Sequence, residues 1–142
     1  MDSPQDKAAT AADTHPSART VLIVAGRVFV PARDVETFVA EAQATYPIAA
    51  ANPGNVLISF CVEDAAAGTV TVLEQWASQE ALDRHLAAPE VMALFAKWSP
   101  HMRNEVRKYD ALNERDPEPE APVFGRTAST PLLTTRPGRF AC

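Results

Sequence analysis

The feature that most restricts the fold of this sequence is a pair of alternating segments near its centre. Residues 56–62 alternate between two sets of side chains, with large apolar groups at every second position. Residues 69–76 alternate in the same way and place Val70, Val72, Glu74 and Trp76 on one face. The glycine-containing loop of residues 63–68 separates the two segments. Two such segments joined by a short loop predict an antiparallel hairpin, which any fold of this chain must contain.

Further elements are predicted on both sides of the hairpin. The apolar, β-branched run of residues 21–30 predicts a first strand, and apolar residues at helical spacing within 35–46 predict a first helix. Residues 78–98 predict a second helix interrupted at Pro89, and residues 104–110 alternate as a last strand. The order β-α-β-β-α-β indicates an α+β fold of ferredoxin-like type, with two helices covering one face of a four-stranded antiparallel sheet.

The predicted domain therefore covers residues 20–110, and the two ends of the chain are predicted to be tails. Residues 1–19 show no hydrophobic periodicity, which favours a disordered arm. Residues 111–142 are polar and interrupted by prolines, which favours an extended tail. The scattered apolar residues of this tail fit either an arm lying across the domain or a disordered segment.

Composition excludes several classes of function. The net charge of −5 provides no positive field for a phosphate backbone, so we expect no nucleic-acid partner. Residues 1–20 contain no apolar run, so we expect no signal peptide or membrane span, and a cytoplasmic protein. Cys61 and Cys142 are the only cysteines, and their positions favour two free thiols over a disulfide framework or a metal site.

The second face of the predicted sheet needs a cover. Leu57, Cys61 and Leu73 point to that face by alternation, and the sequence predicts no third long helix that could bury them. A second copy of the chain is the simplest source of a cover, so we expect a homodimer.

Three side chains of different chemistry are predicted to meet between helix and sheet. Glu74 and Trp76 share one strand face, and His85 shares a helix face with Leu82. A carboxylate within hydrogen-bond reach would fix the imidazole tautomer and leave the other nitrogen of His85 as a general base near neutral pH. Glu74 and His85 could instead be a structural pair in the core that satisfies two buried polar groups, with Trp76 filling core volume.

The other candidates for a small-molecule cavity lie on the same predicted surfaces. They are large or medium apolar side chains, or a tyrosine whose hydroxyl could reach the cavity: Tyr46, Phe60, Val72, Leu82 and Phe95. No glycine loop suited to phosphate is present, so we expect no nucleotide cofactor. No cluster of His, Cys and carboxylate residues suggests a metal.

A resemblance to a known family extends this interpretation. Residues 72–78 (VLEQWAS), followed by Ala81–Leu82, His85–Leu86 and Pro89, resemble the signature region of antibiotic biosynthesis monooxygenase (ABM) domains, closest to the quinol monooxygenase-like branch. The resemblance covers residues 20–110. It implies a dimeric α/β-barrel type of fold, with a small-molecule cavity between helices and sheet.

The resemblance also implies an activity. Several family members oxidise phenolic or quinol substrates without flavin, haem or metal, and the resemblance implies an electron-rich aromatic substrate here, such as a quinol, a phenol or a polyketide-like molecule, with O2 as the oxidant. In this chain His85 would take the proton, Glu74 would orient His85, and Trp76 would stack on the substrate. We therefore expect a cofactor-independent monooxygenase.

The sequence departs from one branch of the family in two positions. The anthrone-oxidising branch has an asparagine and a tyrosine where this chain has Val72 and Leu82, which disfavours an anthrone-type mechanism. Two alternatives therefore stay open. The first is a non-oxidative isomerase or cyclase of the same fold, and the second is a non-catalytic small-molecule-binding or stress protein.

Overall fold

The structure, a computed structural model, describes residues 20–121. The predictions for residues 1–19 and 122–142 lie outside the described residues. The described part contains strands β1 (Val21–Phe29), β2 (Asn55–Asp64), β3 (Thr69–Trp76), β4 (Arg103–Asn104) and β5 (Arg107–Ala111). It also contains helices α1 (Val35–Gln43), α2 (Tyr46–Ala50), α3 (Gln79–Leu86) and α4 (Pro89–Trp98), and 3-10 turns at Ala32–Asp34 and Ser99–His101.

All strand pairs are antiparallel, and the sheet order is β2-β3-β1-β4, with β5 also paired to β1. The predicted hairpin is present as β2 and β3. This order, with the helices on one face, is the predicted ferredoxin-like arrangement, and the prediction of the fold is confirmed.

The predicted last strand is divided into β4 and β5. Both pieces keep one register along β1, because Asn104 faces Val28 and Arg107 faces Ala25. The break lies beside Gly26, which has a φ of 151°, and a Cβ on Gly26 would lie 2.4 Å from the carbonyl oxygen of Glu105. The close passage of the two backbones therefore requires glycine at this position.

Prolines and a serine set the helix boundaries. The predicted first helix is two helices, since α1 ends at Gln43 and α2 begins at Tyr46, with Pro47 in its first turn. Proline is tolerated there because the first backbone N–H groups of a helix have no partner within it. Ser78 caps α3, its hydroxyl accepting a hydrogen bond from the N–H of Ala81 at 3.1 Å, and Pro89 begins α4.

Two apolar clusters fill the space between the helices and the sheet. The smaller one contains Leu22, Ala49, Trp76, Ala81 and Leu82. The larger one contains Val28, Val30, Val35, Phe38, Val39, Ala42, Phe60, Val70, Val72 and Trp98. Burial of each large apolar side chain stabilises the fold by roughly 1.5–3 kcal/mol, so these clusters hold the helices on the sheet.

The opposite face of the sheet carries exposed apolar side chains. Leu57 is 40% exposed and Leu73 is 38% exposed, as the alternation predicts. Cys61 lies on the same face, but the expectation of a free thiol is wrong there. Cys61 is disulfide-bonded.

Candidate active site

A cavity of about 350 Å³ lies between the helices and the sheet. This volume falls at the lower end of the range for small-molecule sites, which is roughly 300–1,000 Å³. Five of the eight predicted site residues line it: Phe60, Val72, Glu74, Leu82 and Phe95. They come from two strands and two helices, so the β-α-β-β-α-β order is what brings them together.

Glu74 is the buried carboxyl group on the wall of the cavity. It is only 7% exposed, and on β3 it lies between Val24 of β1 and Ile58 of β2. Burial raises the pKa of its carboxyl above the ordinary value of 4.5, and the hydrogen bond from Trp76 offsets part of this increase. Among the described residues, no ion pair involves Glu74.

The structure pairs Glu74 with Trp76 instead of the expected His85. The indole N–H of Trp76 donates to Oε2 of Glu74 at 2.8 Å. The two residues are neighbours on one face of β3, so the indole N–H reaches the carboxylate within a single strand. Trp76 is 0% exposed, which leaves its ring no surface for stacking on a substrate.

His85 lies behind Trp76 and does not line the cavity. Its ring centroid is 4.7 Å from that of Trp76, at an interplanar angle of 39°, and the residue is 5% exposed. Its Nδ1 is buried and has no hydrogen-bond partner in the described part of the chain. Burial lowers the pKa of His85, which keeps the imidazole neutral at neutral pH.

Tyr46 supports the sheet edge instead of the cavity. Its hydroxyl accepts a hydrogen bond from the backbone N–H of Phe60 at 2.6 Å, and the side-chain amide of Gln43 donates to the carbonyl of Phe60 at 3.2 Å. Because β2 is an edge strand, these bonds satisfy backbone groups that no neighbouring strand reaches. The hydroxyl expected in the cavity is therefore engaged at the edge.

Sequence reasoning missed four polar residues at the cavity, Gln79, Asn104, Arg107 and Lys108. Three of them come from β4 and β5, and Gln79 begins α3. The alternation of residues 104–110 was the available signal, since it separates Lys108 from Arg107 and Tyr109. To use this alternation one must know the strand register, because it is the register that places Lys108 beside Val24.

The described residues contain neither a candidate metal site nor a candidate membrane-spanning helix. Within residues 20–121, no group of three or more His, Cys, Asp or Glu side chains is arranged to hold a metal ion. None of the helices in that range is long and apolar enough to cross a membrane.

Residues 21–97 match the family model described as antibiotic biosynthesis monooxygenase, a segment that runs from β1 to α4. The chain belongs to this family. The prediction of the family is confirmed, and the quinol monooxygenase-like branch stays a prediction. No curated protein matches the chain.

Solved structures of ABM proteins share the fold. A candidate antibiotic biosynthesis monooxygenase from Caulobacter crescentus is 21% identical with a TM-score of 0.59, over 68% of this chain and 93% of that one. SnoaB, a cofactor-independent oxygenase from Streptomyces nogalater, is 19% identical with a TM-score of 0.55, over 70% and 99%. A candidate family member from Nitrosomonas europaea is 9% identical with a TM-score of 0.57, over 70% and 94%. At these identities the likeness establishes the fold alone.

Proposed function

We propose that this ABM-family protein is a cofactor-independent monooxygenase that acts on an electron-rich aromatic substrate, such as a quinol, a phenol or a polyketide-like molecule. The observation that carries the proposal is the buried carboxyl of Glu74 on the wall of an apolar cavity. SnoaB, whose name describes a cofactor-independent oxygenase, has the same fold and adds support.

The chemistry requires little more than proton removal and enclosure. Triplet O2 reacts slowly with closed-shell molecules, but an electron-rich anion can pass it one electron. The substrate radical and superoxide would then combine to a peroxide. Loss of water from this peroxide leaves one oxygen atom on the substrate and the other in the water molecule. The protein's part is therefore to form the anion inside the cavity.

We assign proton removal to Glu74. Its raised pKa makes the carboxylate a stronger base than an exposed glutamate, and it is the carboxylate that faces the cavity. His85, the base expected from the sequence, is separated from the cavity by its position against Trp76. We propose that His85 holds the indole in place, and that the indole orients Glu74.

Oxygen uptake with purified protein and a panel of quinols and phenols tests these roles. We expect Glu74→Gln to lower kcat by about 10²–10⁴-fold with little change in KM, because glutamine keeps the shape but cannot take a proton. Glu41→Gln is a matched control, since Glu41 also accepts a hydrogen bond from a tryptophan but lies outside this cavity. Full activity in Glu74→Gln would contradict the assignment. A larger loss in His85→Phe than in Glu74→Gln would return the base role to His85.

A non-oxidative isomerase or cyclase could use the same carboxylate for proton transfer. The same assay under anaerobic conditions separates the two activities. Product formation without O2 would replace the monooxygenase by this second candidate, whereas a strict requirement for O2 supports the first. A binding protein without turnover would give neither result.

We also propose that the protein works as a homodimer in the cytoplasm, without a nucleic-acid partner. The exposed Leu57 and Leu73 on the uncovered sheet face support the dimer, because apolar side chains clustered on a surface favour burial against another chain. Light scattering should give twice the monomer mass, and Leu73→Lys should shift the mass toward the monomer. A monomeric mass for the unmodified protein at micromolar concentration would exclude the dimer.

A further inference from the structure

The polar groups of the cavity are unevenly distributed. Most of the lining is apolar, and Glu74 is its buried acid. Lys108 adds a basic side chain on β5 that is exposed, so it lies at the solvent end. The cavity therefore has an acid in its interior and positive charge at its mouth.

Strand register fixes the relation between the acid and this cation. Lys108 faces Val24 across the β1–β5 pair, and Val24 faces Glu74 across the β1–β3 pair. Side chains directly opposite one another share a sheet face, so all three lie on the helix-covered side. Neighbouring strands are roughly 4.8 Å apart, which places the backbones of Lys108 and Glu74 about 10 Å from each other.

The ammonium group of Lys108 extends from β5 to the start of α3. It donates a hydrogen bond to Oε1 of Gln79, and the amide nitrogen of Gln79 donates to Asp83 at 2.7 Å. These bonds hold the ammonium group at the cavity mouth. The ammonium group keeps two more N–H donors for a ligand.

Lys108 also differs from the other basic residues nearby. Arg27 pairs with Glu63, and Lys97 pairs with Glu41. Within residues 20–121, no carboxylate forms a salt bridge with Lys108. The positive charge at the mouth is therefore available to an anion from solution.

We infer that the substrate carries an acidic substituent, a carboxylate, which binds Lys108 while the electron-rich ring lies over Val24 with its acidic hydrogen toward Glu74. This inference rests on the proposed function, because it describes the substrate of that reaction. In a chain of net charge −5, a local cation is needed to attract an anionic substrate.

The arrangement would give the site a defined orientation and a selection rule. A carboxylate that leaves water needs a charged or hydrogen-bonding partner, and the mouth provides one where the apolar interior does not. A substrate bound the other way would place its carboxylate beside that of Glu74, where like charges repel. Neutral aromatics of the same shape would bind more weakly because they offer Lys108 no carboxylate.

Two matched probes test the inference without turnover. 6-Hydroxy-2-naphthoic acid has a phenol at one end and a carboxylate at the other, and 6-hydroxy-2-naphthamide has the same shape without the charge. Calorimetric titration of the full chain at neutral pH should show that the acid binds about tenfold more tightly than the amide. Lys108→Gln should remove this preference, and Lys108→Arg should restore most of it. Arg84→Gln is the control, because Arg84 is an exposed cation on α3 that does not line the cavity.

Several results would overturn the inference. Equal affinity of the unmodified protein for acid and amide, or no binding of the acid, would do so. An equal loss of acid binding in Lys108→Gln and Arg84→Gln would assign the preference to general electrostatics. Since the readout is binding, an acid preference with no oxygen uptake would leave this inference standing and reject the monooxygenase. Oxygen uptake without a preference for the acid would reject this inference and leave the monooxygenase proposal standing.

Discussion

Two tryptophan–glutamate pairs in this molecule make the same hydrogen bond, but the pKa values of their glutamates are shifted in opposite directions. Trp76 donates to Glu74 at 2.8 Å, and Trp98 donates to Glu41 at 2.7 Å. Burial raises the pKa of Glu74. The pKa of Glu41 is lowered, first by the hydrogen bond from Lys97 and then by that from Trp98. The indole bond therefore does not decide acid strength; solvent and the neighbouring cation do.

The location of each pair explains this difference. Glu74 lies on the central region of the sheet under the helices, with apolar side chains on both neighbouring strands. Glu41 lies on α1, where its side chain is 33% exposed, and joins α1 to Lys97 and Trp98 of α4. The pair at Glu41 fastens two helices together. The pair at Glu74 holds a buried carboxyl at the wall of the cavity.

The largest difference between the two pairs should appear on removal of the indole N–H. We expect Trp76→Phe to lower the free energy of unfolding by about 3 kcal/mol, and Trp98→Phe by about 1–2 kcal/mol. Both changes remove buried volume, but the first also leaves the buried carboxyl of Glu74 without its donor. Urea unfolding at neutral pH measures both values. Equal losses would mean that water reaches Glu74 as readily as it reaches Glu41.

Much of the fold that surrounds these pairs can be predicted from local sequence patterns. Alternation in residues 56–62 and 69–76 predicts β2 and β3 because the side-chain period of a strand is two. The division of the last strand could not be predicted in this way. Its cause is the backbone of Glu105 passing over Gly26, a contact between segments far apart in the sequence.

The candidate site shows the same limit at the level of side chains. Strand and helix faces predict that Phe60, Val72 and Leu82 meet at the cavity, as they do. Whether Glu74 binds His85 or Trp76 depends on distances of a few ångströms between side chains, which periodicity does not encode. Lys108 was missed for a related reason, because its place beside Val24 follows from strand register.

The pH dependence of stability should separate the two glutamates next, with opposite signs. The folded-state pKa of Glu74 is raised, so its contribution to stability is present below the ordinary value of 4.5 and is lost as pH rises through the raised pKa. Relative to the unmodified protein, Glu74→Gln should therefore gain stability as pH rises. For Glu41, whose pKa is lowered, the contribution is present above the ordinary value and is lost as pH falls through the lowered pKa.

Glu41→Gln should accordingly be less stable than the unmodified protein at neutral pH, and the difference should shrink on acidification. Urea midpoints of the two variants and the unmodified protein, measured from acidic to neutral pH, give the two difference curves. Curves of the same slope would contradict the contrast between the pairs. The sign of each slope is the test, so it does not depend on the size of either effect.

The smallest effect should come from the cation itself. Lys97→Met removes the largest cause of the lowered pKa of Glu41 and leaves the Trp98 hydrogen bond in place. We expect the pKa of Glu41, followed by NMR titration, to rise toward its ordinary value, while stability changes less than in either tryptophan variant because exposed ion pairs contribute little. Arg33→Met is the control, since Arg33 pairs with Asp34 away from Glu41. An unchanged Glu41 pKa would show that the tryptophan bond alone lowers it, and the contrast with Glu74 would then rest on burial only.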